Sequence, residues 1–118
     1  KEESIKIIDD IILDNNTGIA DFDICRVFIN LLDNSINALK NYTGDDKLLY
    51  LSCKQDNDHI FIKCENKFSE TIRKPEKKPE LHGYGMKIVK DITEKYNGEL
   101  ITQIQDTTFS TLAILKTE

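Results

Sequence analysis

Residues 28–40 read FINLLDNSINALK. Asn30, Asn34, Asn37 and Asn41 recur at i, i+4, i+7 and i+11, a spacing that sets them on one face of a helix. Ile24, Val27, Phe28, Leu31, Leu32, Ala38 and Leu39 make up the core side. Asparagine is a mediocre helix former, and Lys or Glu would solvate the helix better. A stripe of asparagines on a well-patterned helix therefore points to a use for the amides. A carboxamide oxygen is a hard, neutral ligand for Mg²⁺, and its NH₂ group donates to phosphate. A solvated polar face is the alternative.

The chain has 118 residues, the length of one domain. Its net charge of −5 argues against a nucleic-acid binder, which carries a basic excess. No apolar run approaches a membrane span, and no signal-peptide pattern is present, so direct membrane contact is not expected. A cytoplasmic domain of a longer membrane protein fits equally well. Cys25, Cys53 and Cys64 are odd in number and show no CxxC, as expected of reduced cytosolic thiols. Neither His59 nor His82 has a second metal ligand at a useful spacing, which argues against a transition-metal site.

Working outward, residues 2–14 (EESIKIIDDIILD) carry Ile5, Ile8, Ile11 and Ile12 at a helical period, and Asn15, Asn16 and Gly18 end that segment. Asp21 or Asp23 is the expected cap of the asparagine helix, which runs to about Asn41. Two strand-like runs follow, LLYLSCK and HIFIKCEN. A turn at Asn57-Asp58 sets Cys53 opposite Ile62 and Leu51 opposite Cys64. Leu49, Leu51, Cys53, Ile60, Ile62 and Cys64 then share a buried face. Asn66 ends that face and needs a partner in the protein or in a ligand. Residues 67–81 (KFSETIRKPEKKPEL) have the composition of a mobile loop. HGYGMKIVKDITEKYNG is a third helical segment with Met86, Val89, Thr93 and Tyr96 as its apolar stripe and Gly98 as its cap. ELITQIQ and TFSTLAILK form a second hairpin turning at Asp106-Thr107. Antiparallel strands with helices segregated to one side make a two-layer α+β sandwich.

Gly83 and Gly85 open the last helix, where glycines let backbone approach a ligand and bare NH groups that favour phosphate. Taken alone, GxG is equally a plain hinge. Its force comes from the order: asparagine helix, hairpin with an inward polar end, loop, then GxG. In this the sequence resembles the ATP-binding catalytic domain of histidine kinases, in the GHKL superfamily of gyrase, the heat-shock-90 chaperones and the mismatch-repair ATPases. Asn30-Leu31-Leu32-Asp33-Asn34 match the asparagine box, and His82-Gly83-Tyr84-Gly85-Met86-Lys87 match the second glycine box. The strand around Thr107-Thr108-Phe109 is a looser match that brings in Thr108 as a nucleotide contact. Within the family, DICRVFINLLDNSINAL followed by HGYGMKIVK is similar to the peptide quorum-sensing sensor kinases of Gram-positive bacteria.

The resemblance covers residues 21–118 and implies a Bergerat-type ATP-binding fold with a mostly antiparallel sheet. Residues 1–20 then hold either the first helix of the domain or the tail of an upstream dimerisation region. They look too short to include the strand that opens this fold, which implies a shortened N terminus. By position, Asn34 is the Mg²⁺ ligand between the ATP phosphates. Asn30 lies beside the phosphates, where ATPases of the superfamily carry a general-base Glu; an amide takes no proton, so hydrolysis should be slow. Asn37 falls where many histidine kinases have a phosphate-contacting Lys. His82, Gly83, Tyr84, Gly85 and Met86 cover the phosphates, with Lys87 adding charge. Asn66 stands where the family has the Asp that accepts from the adenine amino group, and no glycine follows it.

The resemblance implies transfer of the γ-phosphoryl group of Mg-ATP to a His on a separate dimerisation domain, with a response regulator downstream and a parent protein in the cell membrane. Rival readings are a GHKL ATPase or serine kinase, each of which would want a Glu at position 30, and a GHKL-fold interaction domain that has lost catalysis.

Overall fold

A computed structural model describes residues 5–13, 17–56, 58–68 and 83–117, with residue 84 described for its backbone alone. Five strands and two helices follow in the order β1 (Lys6–Ile11), α1 (Asp21–Lys40), β2 (Leu48–Gln55), β3 (His59–Lys67), α2 (Gly83–Lys95), β4 (Glu99–Gln105) and β5 (Thr108–Lys116). The strands form one sheet in the order β1-β2-β3-β5-β4. The β1–β2 pair is parallel and the other three pairs are antiparallel, so the sheet is mixed but mostly antiparallel, as expected.

Both hairpins take the expected register. Cys53 faces Ile62 and Leu51 faces Cys64 across β2 and β3. Gln105 pairs with Thr108, leaving Asp106-Thr107 as the turn, with Asp106 at φ 57°. The alternation of β2 and β3 puts Leu49, Cys53, Ile60, Ile62 and Cys64 under the helices at 0–1% exposure. Val27, Leu31 and Leu39 of α1 and Met86, Val89 and Ile92 of α2 meet them from above. Each fully buried aliphatic side chain of this kind contributes ~1.5–3 kcal/mol.

The N-terminal segment corrects the expected helix over residues 2–14: Lys6–Ile11 is a strand running parallel to β2, from Lys6 beside Leu48 to Ile11 beside Cys53. The isoleucine spacing suits a helix, but Ile7-Ile8 and Ile11-Ile12 are β-branched pairs, stiff at χ1 and at home on a pleated surface. An open edge of β2 decides between the two. The opening strand judged too short to be present is therefore there.

The helix ends also differ from expectation. Neither Asp21 nor Asp23 caps α1; Ala20 is the N-cap residue and makes no side-chain cap bond. At the end of α2 the left-handed residue is Asn97 (φ 59°), not Gly98. The Gly98 amide donates to the Thr93 carbonyl (2.7 Å) and the Asn97 amide to that of Glu94 (3.1 Å), the paired bonds of a Schellman motif. Gly98 is needed for another reason: a β-carbon there would run into the Ile114 carbonyl of β5. No described helix is long and apolar enough to cross a membrane.

Candidate functional site

The helices α1 and α2 lie antiparallel on the sheet, which brings the asparagine face of α1 against the start of α2. Asn30 is half-buried. Its Nδ2 donates to the Arg26 carbonyl one turn back (2.7 Å). Its Oδ1 lies 2.8 Å from where a β-carbon on Gly85 would stand. The absence of a side chain at Gly85 is thus what lets the GxG backbone close onto the asparagine helix. Asn34 is half-buried one turn further along, while Asn37 and Asn41 are exposed.

On its helix side the sheet presents a polar patch. Asn66 is 2% exposed, at the end of β3 on the helix side. Its Nδ2 donates to the Lys67 carbonyl (2.9 Å), and its Oδ1 is the one buried side-chain N or O atom without a partner among the described residues. Ser35 Oγ and Cys64 Sγ lie 3.1 Å apart, and Thr111 pairs with Cys64 across β3 and β5. Burial pushes the thiols of Cys53 and Cys64 up to about 11, with the Ser35 bond opposing it at Cys64. Both thiols are therefore neutral and poor nucleophiles at neutral pH.

Ser35 and Thr111 were not singled out by the sequence. Their signal was available: Ser35 sits midway between Leu31 and Leu39 on the buried stripe, and Thr111 alternates in phase with Ala113 and Leu115. Thr108, the expected contact on that strand, falls out of phase. It pairs with Lys67, while Asn66 pairs with Phe109, so Thr108 lies on the sheet face away from the helices and is not brought to Asn66.

Met86, expected over the phosphates, is 1% exposed and part of the core. Lys87 is on the exposed side of α2 and pairs with Asp91 at 3.5 Å, so its charge is already shared. The Gly83 and Gly85 backbone forms the first turn of α2. His82 and the loop of residues 69–81 lie outside the described residues, as does the Tyr84 side chain.

The far end of the helix pair is pinned. Asp23, 4% exposed, accepts from Lys95 Nζ (2.9 Å) and from the Tyr96 hydroxyl (2.5 Å). The bond from Lys95, then that from Tyr96, hold the Asp23 carboxyl below its usual range, against the opposing effect of burial. The Tyr96 oxygen in turn accepts from the Ala20 amide (3.3 Å).

The described residues thus hold Asn30 against Gly85 at the start of α2 and, on the sheet, a buried carboxamide oxygen of Asn66 that has no partner among them. Such a pair of features suits a nucleotide. A family model described as GHKL domain matches residues 19–115. No curated protein matches the chain. Among solved structures the chain is similar to the catalytic domain of histidine kinase ThkA in a nucleotide-free form, with a TM-score of 0.70 and 17% identity over 96% of this chain and 80% of that one. It is similar to histidine kinase ThkA in complex with response regulator protein TrrA, with a TM-score of 0.65 and 16% identity over 97% of this chain and 34% of that one. The histidine kinase domain of the E. coli osmosensor EnvZ is a further likeness, with a TM-score of 0.62 and 15% identity over 96% of this chain and 76% of that one. The fold is that of histidine kinase catalytic domains, and with a family match spanning most of its length the chain belongs to the GHKL domain family.

Proposed function

We propose that this chain is the ATP-binding catalytic domain of a two-component sensor histidine kinase. The observation that carries the reading is the contact of Asn30 Oδ1 with the position a Gly85 side chain would take. It joins the asparagine box to the second glycine box, two segments 55 residues apart that have no core-packing reason to carry those residue types. The bound nucleotide supplies the phosphoryl group, with Mg²⁺ offsetting its charge.

The chain's own residues bind and position. Asn66 Oδ1 accepts from the adenine amino group. The first amides of α2 face the phosphates, and Asn34 offers a neutral oxygen to the metal ion. Asn30 borders the phosphates without a group that removes a proton from water, which preserves ATP for transfer. The acceptor His belongs to a separate dimerisation domain. The catalytic domain takes in residues 21–118, and β1 goes with it through its pairing with β2. The complex of ThkA with TrrA supports a response regulator as the next partner. The similarity of DICRVFINLLDNSINAL and HGYGMKIVK to peptide quorum-sensing kinases supports that signalling context, with the domain in the cytoplasm and the parent protein in the membrane.

Calorimetric titration with ADP, with and without Mg²⁺, tests this. Asn34→Ala should lower Mg-dependent affinity about tenfold or more, in the range seen when a metal's protein contacts are removed. Its urea midpoint should stay unchanged, since Asn34 is not core. An Asn34→Ala protein that binds Mg-ADP as tightly as wild type would remove the asparagine box from the site.

A further inference from the structure

We infer that the free edge of β4 is an interface between two copies of this chain, which pair antiparallel across Thr102 so that the two sheets run on as one. The sheet ends on β1 at one side and on β4 at the other. An open edge offers a row of unpaired N–H and C=O groups, and proteins blunt such edges with charge, proline or a bulge. The edge of β1 is blunted by charge: Lys6, Asp9 and Asp10 stand in its KIIDDI run. That of β4 is not. Leu100-Ile101-Thr102-Gln103-Ile104-Gln105 carries no charge and no proline. Its register to β5 runs without a bulge from Glu99 beside Ile114 to Gln105 beside Thr108. Among the described residues β4 has β5 as its one strand neighbour.

The strand is complementary to itself. Residues directly opposite across an antiparallel pair share a face of the sheet. Between β4 and the β4 of a second copy, the register that uses the whole of Glu99–Gln105 is centred on Thr102. Leu100 then stands opposite Ile104 of the second copy, and Thr102 meets its own counterpart, a cross-strand pair that favours association. These positions lie on the helix side, in register with Ala113, Phe109 and Thr111 of β5. On the other face Ile101 meets Gln103, and Glu99 meets Gln105, whose amide can donate to the carboxylate. This register opposes no like charges.

The space beside the edge suits the same occupant. A groove of about 330 Å³ runs between α2 and β4, with Lys90, Thr93, Glu94, Leu100 and Thr102 in its walls. Lys90 and Glu94 pair with each other at 3.1 Å, so the helix wall offers no net charge to an acidic or a basic segment. The twofold axis through Thr102 brings two such grooves together above the paired strands. Leu100 and Ile104, half-buried in one copy, gain apolar cover there from the other. One strand pair is a small interface, so association is weak and set by concentration.

Sedimentation velocity on the intact chain tests the idea. Wild type should pass from monomer to dimer between about 1 µM and about 1 mM. Thr102 is exposed, and Thr102→Lys and Thr102→Glu each set like charges directly opposite one another. Each should keep the circular dichroism of wild type and associate about tenfold or more weakly. Mixed in equal amounts, the two variants should associate again, because only a pairing centred on position 102 sets Lys against Glu. Ile8→Lys, on the other edge, should associate as wild type does. Should the Thr102 variants not fold, hydrogen exchange of wild type at about 10 µM and about 1 mM takes their place. The amides of β4 should then exchange more slowly at the higher concentration and those of β1 equally at both. Equal exchange in β4 overturns the inference. So does a dimer that survives Thr102→Lys, is lost in Ile8→Lys, or fails to return in the mixture. Wild type that stays monomeric throughout also overturns it, and leaves the edge to an extended segment of a different protein.

Discussion

At one end of the α1–α2 pair a buried carboxylate, Asp23, is bonded to Lys95 and Tyr96, and the backbone beyond them closes in a Schellman motif. At the other end Asn30 bonds, among the described residues, to its own helix and leans on a glycine, and Asn66 on the sheet keeps an oxygen without a partner among those residues. The same two helices thus end in opposite states of polar satisfaction. Where every polar group has a protein partner, the ends are joined for stability. Where the groups are neutral and, among the described residues, incompletely paired, the proposed nucleotide site lies.

The sharpest way to break the contrast is at the pinned end. Gly98→Ala forces a β-carbon into the Ile114 carbonyl, a backbone atom that cannot move without dragging β5. A loss of about 3 kcal/mol or more is expected, read as a fall in the urea midpoint. A stable Gly98→Ala protein would mean that the α2–β5 junction is looser than drawn.

Asp23→Asn is the next step down. It should cost about 1–2 kcal/mol at neutral pH through the lost charge-assisted bonds. Because the Asp23 carboxyl is held below its ordinary 3.8, the stability it contributes is fully present above about pH 4. That stability fades as pH falls through the lowered value. The gap between wild type and Asp23→Asn should therefore narrow in acid, measured as urea midpoints from pH 7 to pH 2. A gap independent of pH would assign the contribution to packing and not to charge.

Gly85→Ala should have the smallest effect on stability and separates the two ends most cleanly. Its new methyl group meets the far end of the Asn30 side chain, which can shift, and alanine favours a helix by about 1 kcal/mol over glycine. The fold should be unharmed or slightly firmer, while Mg-ADP affinity falls about tenfold as Asn30 is displaced. Equal nucleotide binding in wild type and Gly85→Ala would show that the open end tolerates crowding and is not a tight cradle.

Both hairpins, including the pairing of Cys53 with Ile62, were legible because a two-residue period leaves each buried face only one register. The strand β1 was not legible, because all six of its residues are exposed and so carry no alternation. Its helical spacing misled, and only the open edge of β2 settles its state. Of the candidate site residues, Asn30 and Asn34 were singled out from helical periodicity and Asn66 from strand register, and the structure sets Asn30 against Gly85 and buries Asn66. Thr108 was named from motif likeness, whereas strand phase sets Thr111 and not Thr108 on the face of Asn66. Asp23 reads from the sequence as a cap; its bonds to residues more than seventy positions away are tertiary and leave no local trace.

The cysteines give the molecule a clock. Cys25 is exposed, while Cys53 and Cys64 are buried with their thiols pushed up to about 11. An alkylating reagent at neutral pH should label one position at once and then wait. The other two sit on neighbouring strands beneath α1, so they become available only when the helix layer lifts from the sheet. Mass added with time therefore counts openings of this interface, in a wild-type chain and without an engineered probe.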